Sequence, residues 1–306
     1  MIPSGYEKHY PVMLREVLES LKPEAGKVYV DATFGNGGYS EAILKSADCR
    51  LIALDRDPNV VARANELKQK YGARFDFRQG CFGDFNDLIQ EQIDGAVFDI
   101  GVSSMQLDEA ERGFSFSKDA PLDMRMSCQG VTAADIVNEY SENELADLIY
   151  KYGEERKSRQ IASAIIRSRK ISPISTTKEL AEIIYTVIHK TPNSIDPATR
   201  TFQALRIAVN DELGELEKGL LGATSRLNSG GRIVVVSFHS LEDRIVKSYF
   251  KENTGKKTHI SRYKPIETIT NGKLFAEYSK AIEASQEEVD INKRSRSAKL
   301  RYAVKN

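Results

Sequence analysis

The first hundred residues alternate between short β-branched runs and stretches with helical spacing. Lys27–Thr33 (KVYVDAT) and Arg50–Asp55 (RLIALD) read as strands, because their apolar residues run almost without interruption. A sheet covered on both faces requires that pattern. Arg74–Gln79 and Gly95–Ile100 (GAVFDI) read as a third and fourth strand, with helices expected at about Ser40–Ser46 and Pro58–Tyr71. Strand and helix in alternation specify a parallel sheet. After Asp108 the pattern breaks. Phe114–Met126 has no clear period, and a helical block follows in which Ser141 with Glu144, and Thr176 with Glu179, have capping-box spacing. A helical pattern over Phe202–Leu221, a turn at Asn228–Gly231 and a buried strand at Arg232–Phe238 then restore the α/β signal. The C-terminal KLRYAVK reads as a last strand. One α/β domain over residues 1–108 and 200–306, interrupted by a helical insertion at 109–199, accounts for this loss and recovery of period.

Composition narrows the partners. Lys plus Arg and Asp plus Glu both number 44 in the 306 residues, so a chain-wide electrostatic grip on nucleic acid is excluded and any such grip is local. Cys49, Cys81 and Cys128 are far apart and form no CxxC pair, which points to a reducing compartment and to neither a disulfide framework nor a zinc site. Met1–Tyr10 is polar where a secretion signal needs an apolar stretch. No apolar run approaches the roughly 20 residues that span a bilayer. A soluble cytoplasmic protein with no membrane partner is expected.

The turn Phe34-Gly35-Asn36-Gly37-Gly38-Tyr39 follows the first strand and opens a helix. Glycines at such a turn let the backbone approach a ligand closely. Asp55 ends the second strand about twenty residues on, where an acid can accept hydrogen bonds from ribose hydroxyls. Together they describe an adenosine-containing cofactor on a Rossmann-like sheet. The dinucleotide fingerprint is G-x-G-x-x-G, and here the glycines run G-x-G-G. Asp31, closing the first strand, suits an amino or sulfonium group better than a pyrophosphate; a turn or helix-capping role is its competing reading. Both points favour S-adenosylmethionine over NAD. Asp99 ends the fourth strand, at the sheet edge where ligands of such folds bind. A carboxylate there can accept a hydrogen bond from an exocyclic amine, whose lone pair is otherwise delocalised, and orient it toward a methyl donor. A role confined to the cofactor competes with that assignment. The sulfonium carries its own leaving group, so no metal is expected.

These motifs, with others along the chain, resemble the ribosomal RNA small subunit methyltransferase H family, bacterial enzymes that methylate N4 of a cytosine in 16S ribosomal RNA. The resemblance is carried by His9–Leu14 (HYPVML), Asp31–Ser40 (DATFGNGGYS), Asp55-Arg56-Asp57, Asp99–Asp108 (DIGVSSMQLD) and Glu111–Met126. It continues through Tyr152–Arg156 (YGEER), Thr199–Asn210 (TRTFQALRIAVN), Ser237–Arg244 (SFHSLEDR) and Arg294–Arg301 (RSRSAKLR). It implies an S-adenosylmethionine-dependent methyltransferase sheet with an inserted helical substrate-recognition domain, acting in the decoding region of the small subunit. The cofactor contacts it implies are Gly37, Gly38, Tyr39, Asp55, Phe82, Asp99 and Gln106, with Phe82 packing on the adenine. Tyr39 stands where the family usually has histidine, and Met105 where it usually has proline. Loss of the proline is expected to loosen the loop that carries Gln106.

An RNA cytosine must be unstacked before it can enter a pocket, and the insertion is the natural clamp. If Glu155–Lys170 is one helix, Arg156, Arg159, Arg167 and Lys170 share a face opposite Ile161 and Ile165. Lys293, Arg294, Arg296, Lys299 and Arg301 form a second basic cluster in the tail. For His239, a satisfied half-buried histidine is the default reading. The rivals are an NAD-dependent oxidoreductase and a non-catalytic ribosome-assembly factor that keeps the cofactor fold. Oligomeric state is left open.

Overall fold

A computed structural model describes residues 11–192, 194–255 and 273–306. His9 and Tyr10 of the N-terminal motif lie outside the described residues. The chain divides into two compact units, one of Met1–Gly101 with Leu213–Asn306 and one of Val102–Glu212.

The first unit is built on β1 (Val28–Asp31), β2 (Arg50–Asp55), β3 (Phe75–Gln79), β4 (Ile93–Asp99), β5 (Leu227–Ser237), β6 (Phe275–Tyr278), β7 (Ile282–Glu283) and β8 (Lys299–Lys305). They form one sheet in the order β3-β2-β1-β4-β5-β8-β6, with β7 also paired to β8. The first five strands pair in parallel, and β8 runs antiparallel to β5, β6 and β7. Alternate residues of the central strands feed two cores. Leu51, Ala53, Val97, Val234 and Val236 enter one, and Val30, Ile52, Leu54, Ala96, Phe98, Ile233 and Val235 enter the other. Both faces are therefore covered, which is why these strands read as unbroken apolar runs. β3 (FDFRQ) is an edge strand and is correspondingly mixed in polarity.

The second unit is helical. Helices Ala133–Glu139, Glu142–Gly153, Ser158–Arg169, Thr177–Tyr185 and Ala198–Asn210 enclose a core that includes Met124, Ile149, Ile161, Leu180 and Leu205. The capping boxes of Ser141 with Glu144 and of Thr176 with Glu179 both form. Phe114–Met126 has no period because distant groups hold it. Leu122 donates its N–H to the Ser175 carbonyl. The buried Asn210 side chain accepts from the Met126 N–H at 2.9 Å and donates to the Met124 carbonyl at 2.8 Å.

Four expectations are corrected. The single helix over Phe202–Leu221 is two, Ala198–Asn210 and Glu212–Arg226, broken at Asp211, whose backbone is left-handed (φ 47°) with no glycine to signal it. Asn228–Gly231 belongs to β5, where the pairing with β4 shifts between Ile93 and Gly95. The helix expected over Glu155–Lys170 begins only at Ser158, so Arg156 sits in the preceding turn and shares no helical face with Lys170. Arg301 leaves the tail cluster. It is buried, and its guanidinium holds both Asp243 oxygens at 2.7 and 3.1 Å.

Candidate active site

The order of the strands fixes where a ligand binds. The chain winds β1-β2-β3 to one side and returns to β4 on the other, so β1 and β4 flank the switch point at their C-terminal ends. Asp31 closes β1, Asp55 closes β2 and Asp99 closes β4. One end of the sheet thus carries three carboxylates.

Each acid is held differently. Asp31 is fully buried; it accepts from the Thr33 N–H at 3.2 Å and the Ser40 hydroxyl at 2.7 Å. Burial pushes its carboxyl up to about 6 against those two bonds, and the neighbouring Asp55 adds to the rise. Asp55 accepts from the Gly35 N–H at 2.7 Å and the Asp57 N–H at 2.9 Å, which tie the glycine turn to the end of β2. Its carboxyl is also raised by burial. Asp99 is positioned by its backbone, whose N–H donates to the Thr33 hydroxyl at 2.7 Å. Its Oδ1 is buried and has no hydrogen-bond partner among the described residues. Burial, with the Asp31 and Glu242 carboxylates nearby, holds the Asp99 carboxyl well above the usual range. A buried acceptor without a donor is costly unless a ligand supplies one.

The turn is tightly packed against its own neighbours. Gly37 caps the helix Gly38–Ser46 in the left-handed region (φ 75°), and a Cβ there would lie 2.8 Å from the Phe34 ring. A Cβ on Gly38 would overlap the Pro11 ring. The next residue, Tyr39, is buried and donates its hydroxyl to the Val12 carbonyl, so the N-terminal segment is pinned across the turn. Phe82 opens the short turn after β3 and meets the buried Phe98 edge-on, ring centroids 5.8 Å apart. Gly219, in helix Glu212–Arg226, makes room for it; a Cβ there would stand 2.8 Å from Cδ2 of Phe82. Only the tertiary packing reveals that seat, since a glycine inside a helical pattern carries no local signal.

Of the candidate residues, Gly37, Gly38, Tyr39, Asp55, Phe82 and Asp99 belong to the first unit and Gln106 to the second. Gln106 closes a reciprocal capping box with Ser103, N–H to Oγ at 3.2 Å and Ser103 N–H to Oε1 at 3.0 Å. Those bonds hold the segment that carries Met105. Asp31 holds the turn through the Thr33 N–H and also accepts the Ser40 N–H in the first turn of the helix whose N-cap residue is Gly37, so it serves both the turn and the helix start. His239 caps helix Ser240–Asn253, its Nδ1 accepting the Glu242 N–H at 3.5 Å. Its buried Nε2, 2.9 Å from a Glu242 oxygen, has no hydrogen-bond partner among the described residues, so the histidine is only half satisfied.

Acids at the strand ends and an unpartnered buried oxygen beside a glycine turn fit a cationic, phosphate-free adenosine cofactor. The fold and site are those of a Rossmann-like, S-adenosylmethionine-dependent methyltransferase. Residues 6–306 match the MraW methylase family, and the chain belongs to it. It is similar to proteins named ribosomal RNA small subunit methyltransferase H in three organisms. The one from Rickettsia massiliae is 56 % identical over 300 residues, covering 97 % of this chain and 98 % of that protein. The one from Rhodospirillum rubrum is 52 % identical, covering 96 % and 93 %. The one from Parvibaculum lavamentivorans is 54 % identical, covering 96 % and 88 %. Among the described residues, no helix is long and apolar enough to cross a membrane.

Proposed function

We propose that this protein methylates N4 of a cytosine in 16S ribosomal RNA, in the decoding region of the small ribosomal subunit, and that it does so in the cytoplasm. The observation that carries the chemistry is the unpartnered, buried Oδ1 of Asp99 at the end of β4. The names of the relatives supply the substrate class. When bound, S-adenosylmethionine supplies an electrophilic methyl group on a sulfonium that departs as a neutral thioether. Asp99 accepts a hydrogen bond from the substrate amine and turns its lone pair toward the methyl. A cation beside it opposes the effect of burial and favours the ionised carboxylate, the form the amine needs. Asp55 receives the ribose hydroxyls, while Gly37 and Gly38 admit the backbone close to the cofactor. Phe82 packs on the adenine, and Tyr39 and Gln106 complete the cofactor contacts. The helical unit is the part that recognises the RNA.

The test is transfer of labelled methyl to small subunits lacking the modification, with the product nucleoside identified. N4-methylated cytidine is expected. Cofactor binding without transfer would instead support an assembly factor. Asp99→Ala should lower kcat about 10²- to 10⁴-fold, the range for a positioned acid–base group. An unchanged kcat would take Asp99 out of the chemistry.

A further inference from the structure

A cleft of ≈ 370 Å³ lies in the helical unit. It is lined by Asp147 and Tyr150 from helix Glu142–Gly153 and by Arg156, Lys157 and Arg159 from the turn and helix that follow. The turn is rigidly built. Glu154 ends the first helix in a left-handed conformation (φ 51°). Glu155 is buried and accepts the Lys157 N–H at 2.9 Å, and its other oxygen lies 3.7 Å from the Arg200 guanidinium. With Glu155 folded inward, Arg156 and Lys157 are turned out to solvent.

Arg156 and Arg159 are exposed, and they lack any ion pair or hydrogen bond among the described residues. The guanidinia of Arg78, Arg125, Arg206 and Arg301 all hold carboxylates. Lys157 donates to the Val187 carbonyl at 3.3 Å and stays exposed. Beside them Tyr150 is 63 % exposed. Asp147 is the one acid of the lining; the cleft remains net positive. In a chain of zero net charge, two unpaired guanidinia next to a bare aromatic ring form the kind of local grip that single-stranded nucleic acid needs.

We infer that this cleft is a subsite for single-stranded RNA flanking the target base, resting on the RNA-methylation reading above. Arg156 and Arg159 bind successive phosphates, a base stacks on Tyr150, and Asp147 accepts from a ribose hydroxyl or base amine. A phosphate alone would not use the ring, and the carboxylates of an acidic protein segment would give Asp147 no donor to accept from, as a ribose hydroxyl or base amine does.

The test uses the full chain and two substrates, a labelled single-stranded oligouridylate followed by anisotropy and unmodified small subunits followed by methyl transfer. Arg156→Gln with Arg159→Gln should weaken oligomer binding at least tenfold. It should also flatten the salt slope by about 1.4, since each single-strand phosphate contact contributes about 0.7. KM for subunits should rise similarly, with kcat and cofactor affinity unchanged. Tyr150→Leu should cost about fivefold or more in oligomer affinity and Tyr150→Phe almost nothing, because stacking needs only the ring. Unchanged oligomer affinity and salt slope in the double variant would overturn the subsite. So would a raised KM for subunits with oligomer binding intact, which would point to a ribosomal protein as the occupant. Failure of the wild-type chain to methylate any subunit RNA would sink the functional reading, and the oligomer titration would still decide the cleft.

Discussion

Asp31 carries a stability cost that a single substitution should remove. Its carboxyl is fully buried, and burial raises it from 3.8 to about 6. A shift of that size corresponds to about 3 kcal/mol at neutral pH. The sign follows from proton binding. Below the unfolded value of 3.8 both states are protonated and there is no cost. Between 3.8 and about 6 the folded state holds the proton more tightly, and that advantage is lost as pH rises through the folded value. Above it the full cost of a buried charge is present. Asp31→Asn keeps the shape, accepting from the Thr33 N–H and donating to the Ser40 hydroxyl, but its amide nitrogen cannot accept from the Ser40 N–H that also reaches the carboxylate. Its second amide hydrogen lacks a partner and gives back about 1 kcal/mol. The cofactor-free variant should therefore be more stable than wild type by about 2 kcal/mol near pH 7.5. Near pH 5 the gain from removing the charge should fall to about half. Urea unfolding of both proteins at the two pH values measures this; groups remote from Asp31 cancel in the difference, while Asp55 and Asp99, which feel its charge, add to the gain. Cofactor affinity should move the opposite way, since a cation loses the field of the Asp31 charge. A variant no more stable at pH 7.5, or one whose gain does not change with pH, would refute the reasoning.

Three further outcomes follow from packing and pairing. Gly219→Ala gains about 0.5–1 kcal/mol of helix propensity but drives a Cβ into Phe82, at about 1–3 kcal/mol for overpacking; calorimetry should show weakened cofactor binding, and unaltered affinity would free Phe82 from the site. Asn210→Ala strips the Met126 N–H and Met124 carbonyl of their partner, so the helical unit should lose about 2–3 kcal/mol, with hydrogen exchange accelerated at Met126 before the sheet opens. Arg301→Ala leaves Asp243 without its guanidinium and should destabilise by about 3–5 kcal/mol, whereas Arg301→Ala with Asp243→Ala should recover much of that loss. A double variant no better than the single one would show that the arginine acts through its packing.

Much of the candidate site is local and therefore legible. The acids sit at the ends of apolar runs, and the glycine turn follows the first of them, so counting along β1, β2 and β4 reaches Asp31, Asp55 and Asp99 directly. Glycine at 37 is required by its positive φ and by the Phe34 ring. The capping boxes at Ser141 and Thr176 are likewise complete within four residues. Other features are nearly invisible to any local window. Only the weak left-handed preference of Asn210-Asp211 marks the break between two helices. Nothing near Gly219 shows that Phe82, far earlier in the chain, needs its space. The pairing of Arg301 with Asp243 turns an apparent basic tail into a buried ion pair.

By itself, the sequence determined the α/β class, the parallel core strands, the glycine turn and the acids beside it. Each of these depends on periods of two or three to four residues and on backbone needs that a short window contains. The tertiary structure decided the rest: which acid keeps an oxygen free, which arginines are already paired, where the long helix breaks and what seats Phe82. Those outcomes depend on partners distant in the chain, and burial sets their energies. The same carboxylate or guanidinium is inert when satisfied and available for a ligand when it is not.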